Sequence, residues 1–173
     1  MSNETLFQKI TSKWKPTAIV VAIFVAILIA AGYSDEANSH ELFNDISTTV
    51  GVGHTVVNSN LKVGWIGVES NQVEVNARLI EAGDTKNGWQ EQMEIVSLSY
   101  LTKPDWGYKG INPYFRLGVS KNFGSELVGE ENFMLGVGLN FHNVWRFEYV
   151  HDSSAGIQPV NSGIDQLVLT REF

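Results

Sequence analysis

A histidine, a serine and an aspartate lie close together near the C-terminal end of the sequence. They are His151, Ser153 and Asp165, within the segment HDSSAGIQPVNSGID. A serine hydroxyl becomes a nucleophile when a neighbouring imidazole accepts its proton, and a carboxylate fixes the tautomer of that imidazole. We therefore expect a serine hydrolase site with Ser153 as nucleophile, His151 as base and Asp165 as the residue that orients the base.

Such a hydrolase also needs hydrogen-bond donors for the negative charge that develops on the carbonyl oxygen. Asn161 and the backbone N–H groups of the loop before Asp165 are the candidates. A histidine and a serine two residues apart are nevertheless a common combination, so an interpretation without chemistry stays open. In that interpretation His151 lies in an interfacial belt beside Tyr149, and residues 152–154 are ordinary polar loop residues.

The segments that carry these residues alternate in hydrophobicity with a period of two, which is typical of β-strands. Along residues 145–153, the aromatic residues at every second position share a face with His151 and Ser153. Along residues 163–173, leucines at every second position share a face with Asp165. We therefore expect all three polar groups on the apolar face of two adjacent strands.

Eight segments alternate in this way, and each is close to the length that a tilted strand needs to cross a bilayer. The connections between them alternate between short and long, as in outer-membrane barrels. The sequence thus predicts an all-β fold, an eight-stranded antiparallel transmembrane β-barrel of outer-membrane type. The predicted strands are 45–57, 61–70, 73–82, 92–102, 111–120, 132–141, 144–153 and 163–173.

Two kinds of β protein are compatible with such segments, and they differ in where the polar face points. A soluble sandwich exposes its polar face to water, whereas a transmembrane barrel encloses it. The strand length, the aromatic-rich apolar faces, the terminal Phe173 and the N-terminal segment favour the enclosed arrangement. Four tryptophans are then expected as interfacial anchors: Trp65, Trp89, Trp106 and Trp145. Charged residues of both signs are expected inside the barrel: Glu74, Arg78, Arg116, Arg146 and Glu148.

The N-terminal segment has the pattern of an export signal. Three lysines before Pro16 precede an uncharged apolar stretch, residues 17–31, and small residues follow it. We expect cleavage between residues 32 and 37, which makes residues 1–34 a signal peptide and residues 35–173 the barrel. Because the stretch is near the lower length limit for a spanning helix, a retained inner-membrane anchor is the alternative.

The composition excludes several other classes of protein. The 173 residues suffice for one domain, and the absence of cysteine excludes disulfides and thiolate metal sites. A net charge of −7 without a basic stretch argues against nucleic acid as a partner. The histidines outside the 151–165 segment are scattered without ligand spacing, so we expect neither a metal nor another cofactor.

The segment 151–165 resembles the active-site segment of the PagL family of lipid A deacylases, whose pattern is approximately H-x-S-N-A-G-I-x-x-P-N-x-G-I-E. The acid of that pattern falls on Asp165, and Ser154 stands where the family usually has an asparagine that helps to hold the oxyanion. Pro159 and Val160 are transposed relative to the pattern. The other matching residues are His151, Ser153, Ala155, Gly156, Ile157, Asn161, Gly163 and Ile164.

This resemblance implies a barrel in the Gram-negative outer membrane, with its active site facing the outer leaflet. It implies hydrolysis of the ester-linked acyl chain at position 3 of lipid A, or of lipopolysaccharide, without a metal. Asn161, Ser154 and Gly156 would then support the oxyanion. The shorter side chain of Ser154 puts the efficiency of such an enzyme in question.

Two other functions stay open. The first is a non-catalytic eight-stranded outer-membrane barrel with a structural or adhesive role, which a loss of activity on changing Ser153 would exclude. The second is a soluble periplasmic β-barrel that binds a lipid, which would be extracted without detergent. The sequence leaves the oligomeric state open between a monomer and a homodimer.

Overall fold

The structure is a computed structural model that describes residues 46–104, 106–125, 128–142, 144–156 and 163–173. Within these ranges the chain is all-β, and none of its segments is a helix long and apolar enough to cross a membrane. The predicted signal peptide, residues 1–34, lies outside the described residues. The strands are β1 (Ser47–Val56), β2 (Lys62–Ser70), β3 (Val73–Ile80), β4 (Gly83–Thr85), β5 (Gly88–Gln90), β6 (Met93–Thr102), β7 (Ile111–Phe123), β8 (Glu131–Phe141), β9 (Trp145–Ser153) and β10 (Ile164–Glu172).

Eight of these strands form one closed antiparallel barrel. Each barrel strand pairs with its neighbours in chain order, and β1 pairs with β10 to close the sheet. Closure pairs both edges of each of the eight described barrel strands, which is what allows a sheet to span a bilayer. The predicted eight-stranded barrel of outer-membrane type is confirmed, and its strands lie within a few residues of the predicted segments.

The two remaining strands, β4 and β5, form a short hairpin in the connection between β3 and β6. An isolated bridge joins Thr85 of this hairpin to Ser59 in the connection between β1 and β2. Strands of three residues are too short to show alternation, so the sequence pattern did not predict this hairpin.

The barrel interior holds the charges that the polar faces predicted. All five predicted interior charges are at most 3% exposed. Arg116 donates hydrogen bonds to Glu148 (2.6 Å) and to Glu74 (2.9 Å), and Arg146 contacts Glu74 from the other side (3.3 Å). Because each charge has a partner of opposite sign, the enclosed network avoids the cost of an isolated buried ion.

Trp65 occupies this interior, so its prediction as an interfacial anchor is wrong. The indole is 1% exposed, and its ring centroid lies 5.2 Å from the guanidinium carbon of Arg78 and 5.1 Å from that of Arg116. Odd-numbered residues of β2 face inward with Glu69, and the attraction between cations and an aromatic face stabilises the indole there. The other three tryptophans are exposed: Trp89, Trp106 and Trp145.

An apolar cluster fills the barrel at the end where β9 finishes and β10 begins. It is formed by inward-facing residues near the strand ends together with Val128 from the connection between β7 and β8. The interior at this end is therefore packed with apolar side chains. The cluster consists of Val63, Ile80, Met93, Ile95, Val128 and Ile164.

The outward face of β6 to β10 is largely apolar. Its large residues are substantially exposed, which is the arrangement that contact with lipid requires. The face is formed by Leu98, Tyr100, Phe115, Leu117, Val119, Phe133, Leu135, Val137, Leu139, Phe147, Tyr149 and Leu169.

Candidate active site

The register of β9 and β10 brings His151 and Asp165 together. The two residues are directly opposite each other in the antiparallel pair, and the His151 Nδ1 lies 2.8 Å from the Asp165 Oδ1. Both side chains point outward from the barrel, where the carboxyl is 11% exposed and the imidazole 39% exposed. Engaging Nδ1 with a carboxylate leaves Nε2 as the nitrogen that can accept a proton, which is the tautomer a general base needs.

Ser153 follows His151 by two residues and shares its outward face at the end of β9. Its Oγ accepts a hydrogen bond from the Ala155 N–H (3.1 Å). In the described part of the chain, no hydrogen bond joins Ser153 to His151. Hydrogen bonds between a nucleophile and its base are often long before substrate binds and tighten in the complex, so this geometry is compatible with catalysis.

The turn after Ser153 has an unusual backbone. Ala155 and Gly156 both have positive φ angles, 51° and 80°, and a left-handed alanine is strained. The turn begins with the hydrogen bond from the Ala155 N–H to the Ser153 Oγ. A side chain at Gly156 would meet nothing within 4 Å, so the φ angle rather than space favours glycine there.

Of the residues predicted to support an oxyanion, Ser154 lies within the described part of the chain and Asn161 does not. Ser154 is described and is buried, 2% exposed, directly after the outward-facing Ser153. Asn161 lies outside the described residues. Their support of an oxyanion, like that of Gly156, stays a prediction.

Gly163 packs against the imidazole of His151. It has a φ of 58°, and a Cβ at this position would lie 3.2 Å from the His151 Cε1. A larger residue would therefore press on the imidazole ring of His151. The sequence showed Gly163 only as a matching position in the 151–165 segment, and the contact explains why glycine suits it.

Tyr149 contacts the candidate site, and the sequence did not assign it a role there. Its hydroxyl donates a hydrogen bond to the Asp165 Oδ1, the same oxygen that faces His151. Tyr149 is directly opposite Leu167, so Asp165 is its diagonal neighbour across the strand pair, within reach of a long side chain. Alternation placed Tyr149 on the right face, but only the register shows the contact.

Asp152 points into the barrel between the two outward-facing residues of β9. Its carboxylate accepts two hydrogen bonds from Arg78 (2.6 and 2.9 Å), one from Ser120 (2.7 Å) and one from Gln166 (2.8 Å). Asp152 and Arg78 are completely buried. We call this group, Asp152 with Arg78, Ser120 and Gln166, the interior clamp. It connects Asp152, the residue between His151 and Ser153, to β3, β7 and β10.

An open groove of about 630 Å³ runs from His151 and Asp165 across the outer faces of β8 and β7. Its walls are mostly apolar, and a linear hydrocarbon chain fits such a surface better than a polar ligand does. Among the described residues, no group of three or more His, Asp or Glu side chains could hold a metal ion. The outer-face residues along the groove are Phe115, Leu117, Leu135, Val137 and Tyr149.

A closed barrel with a charged interior and an apolar outer face defines a β-barrel of outer-membrane type. Comparison of the folds agrees: the chain is similar to the crystal structure of the outer membrane enzyme PagL, with a TM-score of 0.55 and 19% identity. The similarity covers 73% of this chain and 98% of that chain. No model of a known family and no curated protein matches the sequence. At this identity the structural likeness establishes the fold.

Proposed function

We propose that the chain is an outer-membrane esterase that hydrolyses the ester-linked acyl chain at position 3 of lipid A. The observation that carries the proposal is the hydrogen bond between His151 and Asp165 on the outer surface of the barrel. His151 is two residues from Ser153, on the same face of β9. Polar groups on a lipid-facing surface are costly, so a trio of them there favours a function. The resemblance of residues 151–165 to the PagL segment supports lipid A as the substrate.

In the proposed reaction the Ser153 Oγ bonds to the ester carbonyl carbon while the His151 Nε2 takes the hydroxyl proton. Asp165 stabilises the resulting imidazolium through Nδ1–H. Backbone donors of the turn at Ala155 and Gly156, with Ser154 and Asn161, would support the oxyanion. The bond between the acyl carbon and the sugar oxygen then breaks, and the sugar oxygen takes the proton from the His151 Nε2.

The second half of the reaction releases the fatty acid. Water gives a proton to the His151 Nε2 as its oxygen bonds to the acyl carbon. The bond from that carbon to the Ser153 Oγ breaks, and the serine recovers the proton from Nε2. The products are a free fatty acid and a lipid A with one hydroxyl in place of an ester, and the enzyme returns to its initial state.

The position of the site favours a substrate that lies in the membrane. An acyl chain in the groove would stay in contact with apolar residues of β7 and β8 while its ester lies beside His151. Two of the three connections at the opposite barrel end are tight, residues 71–72 and 142–144. Short turns are typical of the periplasmic end, so we place the site in the outer leaflet after removal of residues 1–34.

A direct test uses the purified barrel, refolded in detergent, with lipid A in mixed micelles. We expect release of free fatty acid together with a lipid A product that has lost one acyl chain from position 3, both measured by mass spectrometry. Chelator should leave the rate unchanged, because the proposed residues supply the nucleophile, base and oxyanion donors. A folded barrel that releases no fatty acid would leave the non-catalytic outer-membrane barrel as the better account.

The groove gives a prediction about substrate binding. Leu135 lies directly opposite His151 and is 52% exposed, so a Leu135→Trp change should fill the groove beside the base. We expect KM to rise about tenfold, the equivalent of losing roughly two methylene contacts at ~0.8 kcal/mol each, with kcat little changed. Leu98→Trp is the matched control because Leu98 faces outward on β6 but does not line the groove. Equal KM values for both variants would place the acyl chain elsewhere.

A further inference from the structure

We infer that Tyr149 is a positioning residue, which holds the Asp165 carboxylate in the orientation that His151 needs. The inference rests on the proposed esterase function and adds a residue to its site. Its basis is the juxtaposition of three side chains from two strands: the Asp165 Oδ1 faces both the Tyr149 hydroxyl and the His151 Nδ1.

The Tyr149 hydroxyl and the His151 imidazole together restrict the rotation of the Asp165 carboxylate. Tyr149 and His151 are two residues apart on β9, so they approach Asp165 from adjacent positions on the same face. Asp165 lies across the strand pair on β10, and its side chain is only 11% exposed. A carboxylate held by a single partner can rotate about its side-chain bonds, whereas two donors on one oxygen fix that oxygen opposite the imidazole.

The location of Asp165 makes the second donor important. On an apolar outer surface few water molecules are available to hydrogen-bond a carboxylate, and an incompletely bonded carboxylate is costly there. Tyr149 supplies a donor without adding charge, and its ring lies along the apolar wall of the groove. A tyrosine therefore combines an apolar surface with the hydrogen bond that Asp165 requires.

The first test is Tyr149→Phe, which keeps the ring in the groove and removes the hydroxyl. We expect kcat for lipid A hydrolysis to fall on the order of tenfold because the base loses its fixed orientation. KM should be unchanged because the ring is retained. Tyr100→Phe is the matched control: Tyr100 also faces outward, is half-exposed and donates its hydroxyl to Gln72 (2.5 Å), but it lies on β6, separated from Asp165 on β10 by β7, β8 and β9, and it does not line the groove.

A second measurement separates positioning from a general structural role. Tyr149→Phe is made in an Asp165→Asn background, and single-turnover rates are measured with enzyme in excess. If Tyr149 acts through Asp165, it should cause little further loss in that background, since residues that act as a unit are non-additive. Electrophoretic mobility before and after heating shows whether each barrel is folded.

The outcomes distinguish this inference from the proposed function. An active wild type whose Tyr149→Phe variant keeps its kcat overturns the positioning role alone. The same conclusion follows if Tyr149→Phe causes an equal loss with and without the Asp165 carboxylate. A folded wild type that does not hydrolyse lipid A overturns the esterase function, and the positioning role with it.

Discussion

Replacing Ser153 by alanine should lower kcat for lipid A hydrolysis by roughly 10⁴- to 10⁶-fold, to the background rate, with little change in KM. The change removes the atom that bonds to the acyl carbon but leaves the groove intact. The Ser153 Oγ accepts one hydrogen bond, from Ala155 at the strand end, so the barrel should remain folded. Initial rates of fatty-acid release from lipid A in mixed micelles measure the effect.

A double variant tests whether Ser153 and His151 act together. A Ser153→Ala, His151→Ala double variant should be no slower than Ser153→Ala alone, because without the nucleophile the base has no proton to accept. Ser70→Ala is the control for loss of a serine hydroxyl, since Ser70 ends β2 at the opposite end of the barrel. If Ser153→Ala retains a substantial part of the wild-type rate, another residue is the nucleophile.

Removing Arg78 should destabilise the barrel by about 3–5 kcal/mol, the typical effect of leaving one member of a buried ion pair without its partner. Arg78→Leu would leave the Asp152 carboxylate buried with only Ser120 and Gln166 as donors. Urea titrations in lipid vesicles, followed by tryptophan fluorescence, measure the free energy of unfolding. The Trp65 ring next to Arg78 makes this signal sensitive to the change.

Two further variants identify the cause of that destabilisation. Arg78→Leu combined with Asp152→Leu should recover part of the lost stability, because no uncompensated charge remains. Lys62→Ala removes an exposed ion pair with Glu81 (3.4 Å) and should cost at most about 1 kcal/mol. If the double variant is no more stable than Arg78→Leu, the buried charge of Asp152 is not the reason for the loss.

The interior clamp should affect both the stability of the barrel and the geometry of the candidate site. Asp152 lies between His151 and Ser153 in the chain, so its four interior hydrogen bonds fix the strand end that carries both. Loss of the clamp should therefore lower activity as well as stability. Activity should remain reduced in the double variant even where stability partly returns, since the carboxylate that ties this strand end to its neighbours is absent.

The sequence predicted the barrel well because strand alternation is a local property. A period of two assigns each residue to a face without knowledge of the neighbouring strand. His151, Ser153 and Asp165 could therefore be placed on the outer surface before the strands were paired. The same pattern predicted the interior charges, because a transmembrane barrel encloses its polar face.

Contacts that depend on register could not be predicted in this way. The hydrogen bond from Tyr149 to Asp165 joins diagonal neighbours, and the clamp joins Asp152 to Arg78, distant in sequence. Trp65 shows a different limit: the preference of tryptophan for membrane interfaces predicted an interfacial position. The guanidinium groups of Arg78 and Arg116, which stabilise the indole inside the barrel, belong to other strands, so the segment around Trp65 does not reveal them.

In the proposed function, Ser153 and its partners remove an acyl chain from lipid A in the outer membrane. The most direct measurement is mass spectrometry of lipid A from a Gram-negative host that expresses either the wild-type chain or Ser153→Ala at equal levels of folded barrel. We predict that wild type yields lipid A lacking the acyl chain at position 3, and that Ser153→Ala leaves it fully acylated. Identical lipid A from the two strains, with no acyl chain lost in either, would contradict the account.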